Sequence, residues 1–217
     1  MTAIPPSPSP ADYQAEDNRP RIPDIVDPFA FLEQWLVEAN ASEPNDSSAA
    51  ALATVDADGF PDVRIVLVRG LSAENGLSFY TNYDSAKGRQ LAENPRASLC
   101  FHWKSLRRQV RVRGAVERAS EAESDAYFSQ RAVQSRIAAI ASDQSRPMPD
   151  REAFEARMQA IQDTYHQDSD IPRPAHWGGF QLKPDVFEFW QDQKYRTHDR
   201  LQLQRGTNGW SSQRLYP

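Results

Sequence analysis

Cys100 is the only cysteine in 217 residues, which leaves no internal disulfide and no cysteine-built metal cluster. Its setting, Ser98-Leu99-Cys100-Phe101, reads as strand, and Cys100 is expected to be a buried, inert thiol. Long apolar runs are missing as well. No stretch approaches the ~20 residues of a membrane-spanning helix, and no basic segment leads into an apolar one at the N-terminus, so neither a span nor a signal peptide is expected. There is no glycine-rich phosphate loop of the Walker or dinucleotide type, which argues against a Rossmann cofactor site. There is no His-Glu-x-x-His pair, and the four histidines are far apart, so no metal is expected. A net charge of −5 argues against general attraction to nucleic acid or anionic lipid. These features together favour the cytoplasm.

What is present suits one domain of ordinary size: 39% hydrophobic and 25% charged residues, enough for one core. Residues 1–26 hold six prolines and few large apolar side chains, and are expected to form a mobile arm ahead of a domain spanning 27–217. Asp27 is a natural N-cap and Pro28 a natural first residue for a helix to about Asn40, with Phe31, Leu32, Trp35, Leu36 and Ala39 on one stripe. Strands are predicted over Ala49–Val55 and Pro61–Val68, around a turn at Asp56-Ala57-Asp58-Gly59, and over Leu77–Thr81. A short helix, Ser85–Glu93, ends at Asn94-Pro95, and a second strand pair follows, Ala97–Trp103 and Arg107–Ala119. Ser120-Glu121-Ala122-Glu123 is a capping box for a helix towards Arg131; after a break near Ala132, Gln134–Ala141 and Arg151–Tyr165 are helical. Three closing strands, Gly179–Leu182, Val186–Gln191 and about His198–Arg205, lead through a turn to a last one, Trp210–Leu215. Antiparallel strands interrupted by helices predict a mainly β protein with α additions (α+β), built as a β-barrel.

The informative residues are cations placed where geometry can converge them. Arg196, His198 and Arg200 alternate, so on a strand they share one face and repel unless an anion or nearby acids compensate. Tyr127, Arg131 and Ser135 are spaced i, i+4, i+8; on a continuous helix they make a line of hydroxyl, guanidinium and hydroxyl that suits a phosphate. A plain amphipathic surface stripe has the same spacing, and the break near Ala132 falls inside it. Thr81 and Lys87 bracket a helix N-terminus, a ready anion site. Arg64, among Ile65, Val66, Leu67 and Val68, must reach the barrel rim or find a partner. Lys104 to Arg113 carries five cations and no acid, either a local anion site or a solvated strand face.

Taken in order, the stretches Ala53-Thr54-Val55-Asp56, Phe79-Tyr80-Thr81-Asn82, Arg108-Gln109-Val110, Tyr127-Phe128, Gln144-Ser145, His176-Trp177-Gly178-Gly179, Glu188-Phe189-Trp190-Gln191 and Arg196-Thr197-His198-Asp199-Arg200 resemble the pyridoxine (pyridoxamine) 5′-phosphate oxidase family. The resemblance covers nearly everything outside the arm. It implies an FMN-binding split β-barrel with helical additions, a homodimer to which about 177–217 contributes, and FMN in clefts built by both subunits. By position, it implies that Arg64, Tyr80, Thr81, Lys87, Gln109, Gln144, Ser145, Trp190 and Arg200 contact FMN. Tyr127, Arg131 and Ser135 would meet the substrate phosphate, Arg69 would also contact the substrate, and Arg196 and His198 would lie against the pyridine ring as the catalytic pair. The implied reaction oxidises pyridoxine or pyridoxamine 5′-phosphate, phosphorylated forms of vitamin B6, to pyridoxal 5′-phosphate, with O2 reduced to H2O2. Related split-barrel proteins include flavin oxidases for other substrates and flavin or haem binders without turnover. This chain departs from the family pattern at Arg69, commonly lysine, at Ala86, often arginine, and over Arg136-Ile137-Ala138-Ala139-Ile140. Strict alternation along the strand also sets Arg64 and Arg69 on opposite faces unless a bulge intervenes or Arg69 lies past the strand end.

Overall fold

The structure is a computed structural model that describes residues 4, 7, 9, 11, 12, 19–165 and 171–217. The rest of the expected arm, including 13–18, lies outside the described residues. Helix α1 (Pro28–Ser42) starts where Asp27 accepts hydrogen bonds from the amides of Phe29 and Ala30, with Pro28 in its first turn. Then come β1 (Ala49–Val55), β2 (Pro61–Ser72), β3 (Gly76–Asn82), α2 (Ala86–Glu93), β4 (Arg96–Trp103) and β5 (Arg108–Arg118). Helices α3 (Glu121–Ser129), α4 (Val133–Ala141) and α5 (Arg151–Thr164) precede β6 (Trp177–Gln191), β7 (Asp199–Gly206) and β8 (Gly209–Arg214). The strands are hydrogen-bonded in the order β3-β2-β1-β4-β5-β6-β7-β8, and β3 also pairs with β6, so β1 to β6 close a barrel. The expected barrel with helical additions is present. No helix among the described residues is long and apolar enough to cross a membrane.

The chain forms two compact units. One comprises 1–47, 100–112 and 185–217. In it the α1 stripe packs on aromatic side chains: Phe29 lies 5.2 Å from Phe187, and Trp35 meets Phe189 edge-on at 5.4 Å. Arg108 sits 4.5 Å over the Trp35 ring and pairs with Glu38. The cationic run from Lys104 is largely absorbed here, since Arg107 pairs with Asp192 and Arg111 with Glu188. Residues 19–26, expected to belong to the mobile arm, are instead fixed. Ile22 is buried, its amide donates to Asp199 (2.7 Å), and its carbonyl accepts from Arg214 (2.7 Å). The apolar Ile22 and Ile25 supply the anchor that a proline count overlooked.

The other unit comprises 48–99 and 113–184. The β1–β2 hairpin turns at Gly59 with φ +86, a conformation open to glycine. Beyond the barrel strands, Phe128, Ile137, Ile171 and Trp177 form a cluster against which Met158, Ile161 and Tyr165 pack. Two expectations need correction here. The predicted Gly179–Leu182 and Val186–Gln191 are one strand, β6, running through Pro184. It pairs with β3 up to Leu182 and with β7 from Val186, so the missing proline N–H falls where one partner gives way to another. Cys100 is half-buried rather than buried; burial, the largest influence, still pushes its thiol pKa up.

Trp35→Ala is expected to lower unfolding free energy by ~3–5 kcal/mol through the cavity it leaves, and Asp27→Ala by ~1 kcal/mol through loss of the cap. Urea unfolding followed by tryptophan fluorescence and circular dichroism checks both. A Trp35→Ala protein as stable as the parent would remove this stripe from the core.

Candidate active site

Three local irregularities bring charged groups together. The first is in β2, whose pairing with β3 shifts register between Val68 and Gly70. Arg69 is the extra residue of this bulge, which resolves the conflict of faces with Arg64. Arg69 lines a cavity of about 670 Å³ and makes no hydrogen bond or ion pair among the described residues. Arg64 is held elsewhere: it donates to Thr54, Gln90 (3.0 Å) and the Leu52 carbonyl (3.4 Å), and pairs with Asp62.

The second is the start of α2. Ser85 caps it by accepting from the Gly88 amide, and a Cβ at Gly88 would stand 2.1 Å from the Tyr83 carbonyl oxygen, so only glycine lets the helix close down here. That closure buries Lys87, whose Nζ donates to neutral oxygens alone: Gln144 at 3.1 Å, Thr81 at 3.3 Å and Ser85 at 3.4 Å. Burial pushes its pKa down, and Arg64 adds to the effect while Asp62 opposes it.

The third is the break between α3 and α4. The expected continuous line of Tyr127, Arg131 and Ser135 does not exist as one helix. Tyr127 lies on α3, Arg131 in the turn, and Ser135 in the first turn of α4. All three nevertheless line the same cavity, joined by Tyr80, Thr81, Lys87 and Gln144. The N-cap of α4 is Ala132, which offers no side-chain cap and also lines the cavity, so the helix start adds unclaimed backbone donors. Tyr80 stacks on Tyr127 at 3.8 Å, and the Arg131 guanidinium lies 4.7 Å over Trp177. Arg131 Nη1 is buried with no hydrogen-bond partner among the described residues, and burial pushes the guanidinium pKa down. Two cations without carboxylates and a third on the bulge suit a dianionic phosphate.

The remaining expected residues fall outside this cavity. Ser145 lines a neighbouring one of about 390 Å³ in the same unit. Gln109, Trp190, Arg196, His198 and Arg200 belong to the other unit. There the strand expected to carry Arg196, His198 and Arg200 on one face begins only at Asp199. Lys194–Arg196 is a tight turn with Tyr195 at φ +55 and Arg196 at φ +60, so alternation does not apply. Two successive non-glycine residues in the left-handed region are held under strain. Arg196 is exposed and makes no ion pair among the described residues. His198 lies 4.6 Å from Trp190, and its Nδ1 is 3.1 Å from Asp192. Arg200 donates through Nε (2.9 Å) and Nη2 (2.8 Å) to buried Glu188 and through Nη1 to the Tyr216 carbonyl. Gln109 is half-buried on β5.

Residues 36–165 match the family described as Pyridoxamine 5'-phosphate oxidase, and residues 177–217 match its Pyridoxine 5'-phosphate oxidase C-terminal dimerisation region. The chain belongs to this family. A pyridoxine/pyridoxamine 5'-phosphate oxidase of Hyphomonas neptunium is 60% identical over 217 residues, covering 100% of this chain and 99% of that one. One from Caulobacter vibrioides is 49% identical over 219 residues, covering 100% and 98%. Among solved structures, PhzG from Burkholderia lata 383 in complex with tetrahydrophenazine-1-carboxylic acid superposes with TM-score 0.83 at 28% identity, covering 97% and 98%. Features of this oxidase-family chain that sequence reasoning passed over are the uncapped start of α4, the Trp177 face under Arg131, and Asp192. An alanine at a helix N-cap was the one readable signal among them.

Arg131→Met is expected to stabilise the ligand-free protein by ~1–3 kcal/mol, because an unsatisfied buried donor is removed. The same change should abolish most of the gain in melting temperature that millimolar inorganic phosphate gives the parent. Thermal unfolding with and without phosphate checks both signs; equal phosphate protection of the two proteins would take Arg131 out of an anion site.

Proposed function

We propose that this chain is an FMN-dependent oxidase that converts pyridoxine 5′-phosphate and pyridoxamine 5′-phosphate to pyridoxal 5′-phosphate, reducing O2 to H2O2. The observation that carries the reading is the cavity of the second unit, where Arg69, Lys87 and Arg131 meet without a carboxylate among the described residues. Lys87, buried among neutral oxygens, fits the phosphate end of FMN, with Arg64, Tyr80, Thr81 and Gln144 as neighbouring contacts. Tyr127, Arg131, Ser135 and Arg69 hold the substrate phosphate at the start of α4. Each charge-assisted hydrogen bond to such a group is worth ~1.5–3 kcal/mol.

Gln109, Ser145, Trp190 and Arg200 complete the FMN contacts in this proposal. Arg196 and His198 lie against the pyridine ring and orient C4′. Pyridoxine 5′-phosphate gives up a hydride from C4′ and a proton from its hydroxyl; the amine substrate additionally takes up water and releases ammonia. Bound FMN supplies the hydride acceptor at N5 and the route of both electrons to O2. A homodimer is the working form, since the family's dimerisation region carries Trp190, Arg196, His198 and Arg200, and a second copy can present them to the cavity. The cytoplasm is its setting, with no nucleic acid or membrane among its partners.

The likeness to PhzG favours one second reading, a flavin oxidase for a different substrate. FMN-loaded protein should release peroxide with pyridoxine 5′-phosphate and with pyridoxamine 5′-phosphate, and much less with dephosphorylated pyridoxine. Flavin-replete protein that leaves both phosphates untouched sinks the assignment. Arg196→Ala should lower kcat/KM by about 100-fold, ~2.7 kcal/mol of barrier, with the flavin spectrum retained. Unchanged kinetics would take Arg196 out of the site.

A further inference from the structure

Asp192 stands one residue past the end of β6 and collects three partners from three segments. Arg19 of the N-terminal segment donates at 3.0 Å and Arg107, ahead of β5, at 3.1 Å, both to Oδ2. The other oxygen, Oδ1, lies 3.1 Å from His198 Nδ1. The carboxylate is only 14% exposed, and its own amide donates to the Arg107 carbonyl at 3.1 Å. It is therefore fixed by backbone and by two guanidinium groups, with one oxygen left for the imidazole. From this geometry we infer that Asp192 is a positioning residue, holding His198 with its proton on Nδ1 and its Nε2 lone pair turned away from Asp192. The inference rests on the proposal that His198 faces the substrate.

The tautomer follows from comparing two contacts at one nitrogen. The Gln193 amide also points at Nδ1, at 3.3 Å, and would favour an unprotonated Nδ1. A hydrogen bond to a carboxylate is about twice as strong as one between neutral groups, and the Asp192 contact is also shorter, so Nδ1–H prevails. An Nε2–H tautomer would instead set the Nδ1 lone pair against a carboxylate oxygen. Burial is the largest influence on the His198 pKa and lowers it; Asp192 opposes that, and Arg196 reinforces it. Arg21, Lys194 and Asp199 line the same cavity of about 520 Å³ as His198, together with Arg19. With the ring neutral, its tautomer decides whether Nε2 offers a lone pair or a proton, so one carboxylate can set the polarity of the contact to substrate. Trp190, 4.6 Å away, fixes the ring from the side.

The test is Asp192→Asn, which keeps shape and removes charge, with Asp192→Glu as the rescue variant, both studied as FMN-loaded full-length protein. Nitrogen-15 spectra of histidine-labelled protein, with the His198 signals assigned through their loss in His198→Gln, report the tautomer directly. The parent should show Nδ1–H. Asp192→Asn should shift the ring towards Nε2–H, lower its pKa, and reduce kcat with pyridoxine 5′-phosphate by about tenfold, ~1.4 kcal/mol of barrier, with flavin affinity unchanged. Asp192→Glu should restore the parental spectrum in part. An unaltered tautomer and pKa in Asp192→Asn overturn the inference, as does a shifted tautomer with unaltered kcat. If the parent makes no peroxide at all, the oxidase reading fails while the spectra still decide whether Asp192 sets the ring.

Discussion

Arg131 lies against the face of Trp177 with a buried nitrogen that nothing among the described residues satisfies, and Lys87 sits nearby in the same unit among hydroxyl and amide oxygens. Several other cations of the protein are paired with acids. Arg108 has Glu38, Arg111 and Arg200 share Glu188, and Arg173 is gripped by Glu121 and Asp125. A desolvated charge without a counter-charge is unfavourable by several kcal/mol unless something offsets it. The aromatic face beneath Arg131 offsets part of that, and in the proposed function a substrate phosphate would offset the rest. Leaving acids out of this cavity destabilises the empty protein in favour of the occupied one, a trade expected at a binding site and not in a scaffold.

The scaffold serves this constraint through its irregularities. A regular β2 would send Arg64 and Arg69 to opposite faces; one bulged residue frees Arg69 for the cavity while Arg64 keeps its partners. A regular helix through 121–141 would bury its interior amides in its own hydrogen bonds; the break at 130–132 opens a second N-terminus beside Arg131. In the other unit the turn at Lys194–Arg196 holds two side chains in a strained backbone, where a straight strand would have been cheaper. In each case a local rule is broken beside a charged side chain, Arg69, Arg131 or Arg196, that the proposed function uses.

That pattern explains what the sequence could disclose. Caps, turns and apolar stripes are set by neighbours along the chain, and so Asp27, Gly59, Ser120 and the stripe of α1 were readable to within a residue or two. Local composition could not reveal that Ile22 finds a berth between Asp199 and Arg214, because those contacts span more than 170 residues. Nor could it join two predicted strands across Pro184, since tolerance of that proline depends on where the pairing partner changes. For the site, residue types and motif order singled out Tyr127, Arg131, Ser135, Lys87 and Thr81, which do converge. The geometry that converges them, bulge and broken helix rather than alternation and a continuous line, was legible only as a conflict between periodicities.

The acids of the C-terminal region show how the second group of residues is organised. Glu188 takes Arg200 and Arg111, Asp199 takes Arg214 and the Ile22 amide, and Asp192 takes Arg19, Arg107 and His198. Each carboxylate ties together segments distant in sequence, and each is shielded enough for those bonds to resist screening by salt. Arg196 stands amid these pairs without an acid of its own among the described residues. Three carboxylates within twelve residues hold these side chains in place, while the Arg196 guanidinium stands exposed on a strained turn. In the proposed function this division has a simple reading: the acids of the region immobilise structural side chains, and Arg196, which has none, is left to meet the ligand.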